Sequence, residues 1–272
     1  MFSARTRHTR TVLSLSVTAT LLTMLGGCAA QEGEIFPTPS RPSATPSPSP
    51  ASESPATASS APAEPTPAAA FDAVARSRDD PTSLWVVSNK TRPLTPLDYA
   101  PTDLSMPQGI GNANGHPLRA EAARALETMH TAATAAGLSL RITSAYRDFA
   151  YQTRLYNGYV GRDGQAAADT YSARPGYSEH QTGLATDLDD SGSCGLQACF
   201  AQTATGAWLA EHAPEYGFIL RYPDGKQGVT GFTFEPWHFR YVGTDLALEM
   251  RRTGVTTLEE FFGLPAAPDY LR

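Results

Sequence analysis

Cysteine is scarce: the 272 residues contain three, at Cys28, Cys194 and Cys199. That excludes a disulfide-dense scaffold and any metal site built from four thiolates. Positive charge is also short, with 21 Lys and Arg against 27 Asp and Glu, so nucleic acid and anionic membrane surfaces are poor partners. The longest apolar stretch, "TVLSLSVTATLLTMLGGC", is too short and too rich in Thr and Ser for a bilayer span of about 20 apolar residues. One further absence decides a metal. The stretch Asp187-Leu-Asp-Asp-Ser-Gly192 looks like the start of a calcium loop, but the bidentate glutamate that must close such a loop would fall on position 198, which is alanine.

The N-terminus carries Arg5, Arg7 and Arg10, no acid, and then that apolar stretch, the pattern of an export signal. Leu25-Gly26-Gly27-Cys28 resembles the lipobox of bacterial lipoproteins, in which the cysteine becomes the lipidated first residue; an ordinary signal with an incidental cysteine is the alternative. Loss of residues 1–27 leaves 18 basic against 27 acidic residues, a formal charge of -9. Residues 29–70 are Pro, Ser, Ala, Thr and Glu with little to bury, a composition that cannot offset the entropy of ordering and that favours an extended tether. The expected organisation is a lipoprotein signal at 1–27, lipidated Cys28 and linker at 28–78, and one domain at 79–272. It places a monomeric protein on the outer face of a bacterial cell membrane, held by lipid.

Within the domain, "LRAEAARALETMHTAATAA" (118–136) is alanine-rich and ends at Gly137, the mark of a capped helix. "LSLRITSAYR" alternates as a strand does, residues 149–160 read as a second helix, 161–177 as a loop, and "GLATDLDD" as another strand. That alternation sets Leu184, Thr186 and Leu188 on one face and Ala185 and Asp187 on the other. A third helix is expected over 200–215, with strands at "GFILRY", "GFTF" and "HFRYVG". The fold class is therefore α+β, a small antiparallel sheet flanked by helices. Cys194 and Cys199 lie five positions apart in an exported chain, which favours a short disulfide over a zinc pair.

Of six histidines, His8 leaves with the signal, His116 sits in a Gly/Asn-rich loop, and His130 and His212 fall on expected helices. His180 and His238 stand beside turns or strand ends with carboxylates near. With Asp187 they offer His, Asp and His, three ligands that leave a fourth position open, as catalytic zinc requires. Each alone is more often a structural histidine. Glu235 precedes His238 by three residues with Pro236 between, and an irregular turn there sets its carboxylate over the open face of the metal. So placed, it takes the proton of a zinc-activated water and returns it to the leaving amine. A salt bridge with Arg240 or Arg221 is the competing role. Arg147 is a fixed cation for a peptide carboxylate or a developing oxyanion, unless it merely pairs with Asp148.

"SAYRDFAYQ", "RPGYSEHQTGLATDLDD", "GFILRYPDGKQGVTGFTFEPWHFRYVG" and "VVSNKTRPLTPLDYAPTDL" resemble the VanY-type zinc D-alanyl-D-alanine carboxypeptidases over about residues 84–244. The resemblance implies one Zn2+ per chain, at the centre of the sheet, on His180, Asp187 and His238. It implies Glu235 as general base and Arg147, Gln152 and Ser178 as substrate contacts, with the arginine stabilising negative charge. Cys194 and Cys199 lie outside the motif. The expected function is an exported zinc peptidase that trims the terminal D-alanine of peptidoglycan stem peptides. An L,D-carboxypeptidase or wall endopeptidase on the same scaffold is the alternative among enzymes, and a non-catalytic wall-binding lipoprotein is the alternative outside them.

Overall fold

The computed structural model describes residues 71–271. The signal, Cys28 and the body of the linker lie outside them. Four short antiparallel strands carry the site: β3 (Arg141–Ser144), β4 (Ala185–Asp189), β5 (Phe218–Leu220) and β6 (His238–Tyr241), in the order β3-β4-β6-β5. A two-residue ladder, β1 (Leu104–Ser105) with β2 (Leu118–Arg119), precedes them. The α+β expectation therefore holds.

Helix α1 (Ala120–Ala135) follows from its alanine content. Ala122, Leu126, Met129 and Ala133, spaced at helical intervals, form its buried face. It stops at Gly137, whose φ of +77° suits only glycine well. Helix α2 (Phe149–Asp163) starts on Asp148, whose carboxylate accepts the Tyr151 N–H at 2.6 Å. That cap gives Asp148 a role other than pairing with Arg147. The expected loop at 161–177 holds the end of α2 and a short helix, α3 (Gln165–Ala168). The expected third helix is divided into a 3-10 turn at Ala198–Gln202, α4 (Ala204–His212) and a 3-10 turn at Ala213–Tyr216. Thr203 caps α4 through the Gly206 N–H, and Pro214 has no N–H with which to continue the helix.

"GFTF" is not a strand. Helix α5 (Gln227–Thr230) precedes it, Gly231 has a φ of +86°, and a Cβ there would stand 2.4 Å from the Ala267 carbonyl oxygen. The Thr233 N–H goes to the Thr170 carbonyl instead of a ladder. Helices α6 (Thr244–Thr253) and α7 (Leu258–Phe261) close the chain. No helix among the described residues is long and apolar enough to cross a membrane.

One core joins sheet and helices, from Leu126 and Met129 of α1 to Leu188 of β4, Phe218 of β5 and Phe239 of β6. The coil Leu84–Val87 is buried in it. Trp85 Nε1 donates to the Val242 carbonyl, and Arg240 Nη2 donates to the carbonyls of Leu84 and Val86 at 3.0 and 2.8 Å. A guanidinium with no solvent exposure thus ties the domain's opening segment to the sheet.

Candidate metal and peptidase centre

Asp187 and His238 face each other across β4 and β6, the two central strands. His180 arrives from a 3-10 turn, Glu179–Thr182, which ends at Gly183 in left-handed conformation. All three side chains are buried, and one ligand atom from each lies within 4.8 Å of the others. His180 Nε2 is 3.3 Å from Asp187 Oδ2, and His238 Nδ1 is 3.1 Å from Asp187 Oδ1. Ligands about 2.05 Å from a tetrahedral zinc stand about 3.4 Å apart, and each histidine nitrogen lies near that spacing from one oxygen of Asp187.

The His180 tautomer agrees. His180 Nδ1 donates to the Ala145 carbonyl at 2.6 Å, which leaves Nε2 with its lone pair. Burial, aided by the Arg147 charge, pushes that ring down to about 4, so it is neutral at pH 7. His180 Nε2 and Asp187 Oδ1 are buried without a hydrogen-bond partner, an arrangement that a cation satisfies. Two imidazole nitrogens and a carboxylate fit zinc far better than calcium. His238 points Nε2 toward Glu179 Oε2 at 3.6 Å, which turns Nδ1 to the metal group. Burial alone would lower the His238 ring, but Asp187 and Glu179 outweigh it and raise it to about 9 in the metal-free site, so a cation at Nδ1 would displace a proton.

Glu179 was not singled out from sequence. It is fully buried, and its Oε1 accepts from Arg221 Nε at 2.8 Å and from Arg240 Nη1 at 2.7 Å. Glu259 takes the rest of Arg221 at 2.9 and 2.7 Å. Burial opposes the charge on Glu179, but the two arginines hold its carboxyl well below the ordinary range. The only trace in the sequence is an acid between Ser178 and His180. Because these arginines belong to Glu179 and Glu259, the competing role for Glu235 is not filled by them.

Glu235 sits in the turn before β6, where the His238 N–H donates to the Glu235 carbonyl at 3.0 Å. Its carboxylate lies 3.7 Å from His238 Nδ1. Burial, reinforced by the Asp187 charge, raises it to about 8, and a divalent cation alongside acts in the opposite direction. Around this group opens a cleft of about 490 Å³, lined by Arg147, Ser178 and Glu235 as well as the three donors. Arg147 Nε is buried without a partner. Gln152, an expected substrate contact, is buried and does not line the cleft; its amide donates to the carbonyl of Ala173, which does. Cys194 and Cys199 are joined in a disulfide.

The family described as VanY, D-alanyl-D-alanine carboxypeptidase, matches residues 115–244. The protein YodJ of Bacillus subtilis (strain 168) is 38% identical over 188 residues, 67% of this chain and 68% of that one. A D-alanyl-D-alanine carboxypeptidase of Enterococcus faecalis is 34% identical, over 55% of this chain and 57% of its own. The solved LD-carboxypeptidase LdcB superposes with a TM-score of 0.63 at 38% identity, covering 67% of this chain and 87% of that one. The vancomycin-resistance D,D-pentapeptidase VanY, solved with Zn(II), gives 0.56 at 31%, covering 66% and 98%. With a buried His-Asp-His group on its central strands and these relatives, the chain belongs to the VanY family of D-alanyl-D-alanine carboxypeptidases.

Proposed function

We propose that the protein is an exported zinc peptidase that removes the C-terminal D-alanine from peptidoglycan stem peptides ending in D-alanyl-D-alanine. The observation that carries this reading is Glu235, a buried carboxyl 3.7 Å from a donor of the metal-capable group and open to the cleft. A wall-binding module has no use for such a base. His180 Nε2, Asp187 and His238 Nδ1 would hold the metal. Zinc, when bound, supplies a Lewis acid for the scissile carbonyl and lowers the pKa of a coordinated water from 15.7 to about 7. Glu235 accepts the proton of the attacking water and passes it to the leaving D-alanine amine. Arg147 and Ser178, both on the cleft wall, bind the peptide's negative charge and its backbone, the guanidinium being the group suited to a terminal carboxylate. The tether and the lipid on Cys28 would keep this chemistry at the outer membrane face, within reach of the wall.

Removal of D-alanine from an L-configured neighbour is a second reading. The LD-carboxypeptidase LdcB is more similar to this chain, at 0.63 and 38%, than the D,D-pentapeptidase VanY, at 0.56 and 31%. Mass spectrometry of the zinc-loaded protein with a stem pentapeptide and a stem tetrapeptide separates the two. Loss of one alanine from the pentapeptide supports the leading reading, and loss from the tetrapeptide alone supports the second. Neither peptide losing alanine rules out both.

A further inference from the structure

The short disulfide belongs to no part of the metal group, yet it shapes the cleft. Leu196, inside the ring it closes, is one of the cleft's lining residues and remains 42% exposed. Its φ is +51°, a left-handed conformation that a branched side chain adopts only where the surroundings over-determine it.

Those surroundings are present. Cys194 and Cys199 close the turn, and the Gln197 N–H donates to the Cys194 carbonyl at 3.1 Å. Asp189, at the end of β4, accepts from the Ser191 N–H at 2.7 Å, from Arg141 Nε and Nη2 at 2.5 and 3.0 Å, and from Thr143 Oγ1 at 2.9 Å. Gly195 passes so close that a Cβ would stand 2.8 Å from Asp189 Oδ2. The turn is thus anchored to the strand that carries Asp187. A bare turn would be satisfied with glycine or asparagine at the left-handed position, but this one presents a leucine. Tyr151, Leu155 and Tyr159 of α2 supply further apolar surface in the same cleft.

We propose that Leu196, held in place by the disulfide-closed turn, is a specificity-determining wall of the cleft that packs against an aliphatic segment of the peptide upstream of the scissile bond. The proposal rests on the peptidase reading above, and the test separates the two. Zinc-loaded protein is assayed on the stem peptide that it cleaves and on a short acylated dipeptide with the same C-terminus, which lacks the upstream segment. The readout is the ratio of kcat/KM for the long peptide over the short one.

In Leu196→Ala and Leu196→Gly that ratio should fall about 5- to 20-fold, through KM of the long peptide, for the loss of part of a leucine's burial. Leu196→Met should retain most of it. The glycine variant suits the left-handed backbone, so its fall reports the side chain and not a distorted turn. Cys194→Ser/Cys199→Ser should lower the ratio as well, because the side chain is no longer held. An unchanged ratio in Leu196→Ala, or a wild-type ratio in Leu196→Gly, overturns the proposal, and an unchanged ratio in the double variant overturns the part given to the disulfide. A wild-type chain that cleaves neither substrate defeats the peptidase reading, and the proposal with it.

Discussion

Glu179→Gln replaces a carboxylate by an amide of nearly the same shape, so it opens no cavity and isolates the charge. The carboxylate is fully buried and is shared by Arg221 at 2.8 Å and Arg240 at 2.7 Å. Among the described residues, Glu259 is the only other acid on these arginines, so two guanidiniums balance two carboxylates, and the variant leaves one buried positive charge uncompensated. Two ion–ion hydrogen bonds lose their anionic acceptor and keep only the charge of the arginine donors. Removing one partner of a buried pair typically costs about 3–5 kcal/mol. With a urea m-value of about 2–3 kcal/mol/M, the unfolding midpoint of the metal-free protein should fall by about 1–2.5 M at pH 7. The arginines hold the Glu179 carboxyl below its unfolded value of 4.5. Its contribution is therefore complete above pH 4.5 and is lost as pH falls toward the folded value, so the gap between wild type and variant should narrow below about pH 4. Glu259→Gln provides the comparison. It should destabilise through the same arginine, but only Glu179 faces His238 Nε2, so zinc affinity should weaken in Glu179→Gln alone, by about 10- to 100-fold. Midpoints within 0.3 M of wild type, measured by urea titration at pH 7, would refute the charge argument.

Glu235→Gln should keep its zinc and its fold while turnover falls by about 10² to 10⁴, the usual contribution of a general base; wild-type turnover with zinc bound would remove Glu235 from the mechanism. His180→Ala, Asp187→Ala and His238→Ala should each lower bound zinc, and stoichiometric zinc by elemental analysis in any of them would release that residue from the ligand set. Opening the Cys194–Cys199 ring with serines should cost about 2 kcal/mol on the loop-entropy relation for so short a loop, read as a lower urea midpoint; an unchanged midpoint would show that the turn holds itself. Cys28→Ser should leave the protein unlipidated and released from membranes, and retention with no change in intact mass would count against the lipobox.

Local patterns announced themselves in the sequence, and long-range pairings did not. The alanine run of α1 and its glycine stop, like the short separations from His180 to Asp187 and from Glu235 to His238, are carried within a few residues, where helix periodicity and turn chemistry act. Gly231 leaves the strand pattern with a φ of +86°, at a point where a Cβ would meet the Ala267 carbonyl, 36 positions away. The same holds for Glu179. In the sequence Arg221 and Arg240 stand as candidate partners of Glu235 and Glu179 carries no pattern of its own, until the fold brings that acid and the two arginines together without solvent. Nor does a cysteine spacing tell that Leu196 between them faces the cleft.

Ligand geometry and core packing constrain each other through strand register. Asp187 pairs with His238, Thr186 with Phe239 and Ala185 with Arg240. Side chains alternate along each strand, so the face that carries Asp187 and His238 also carries Arg240, while Leu188 and Phe239 turn to the opposite face and enter the core. A slip of one residue would bring Phe239 opposite Asp187 and expel a buried aromatic ring from the core. The apolar residues between the metal-site residues therefore set the spacing of the donors. Arg240 adds a second check, because only in this register does its guanidinium reach both Glu179 and the carbonyls of Leu84 and Val86. The carboxylate that steadies His238 is thus anchored by the same arginine that fastens the opening segment of the domain, and loss of that segment should loosen the metal site without touching a ligand.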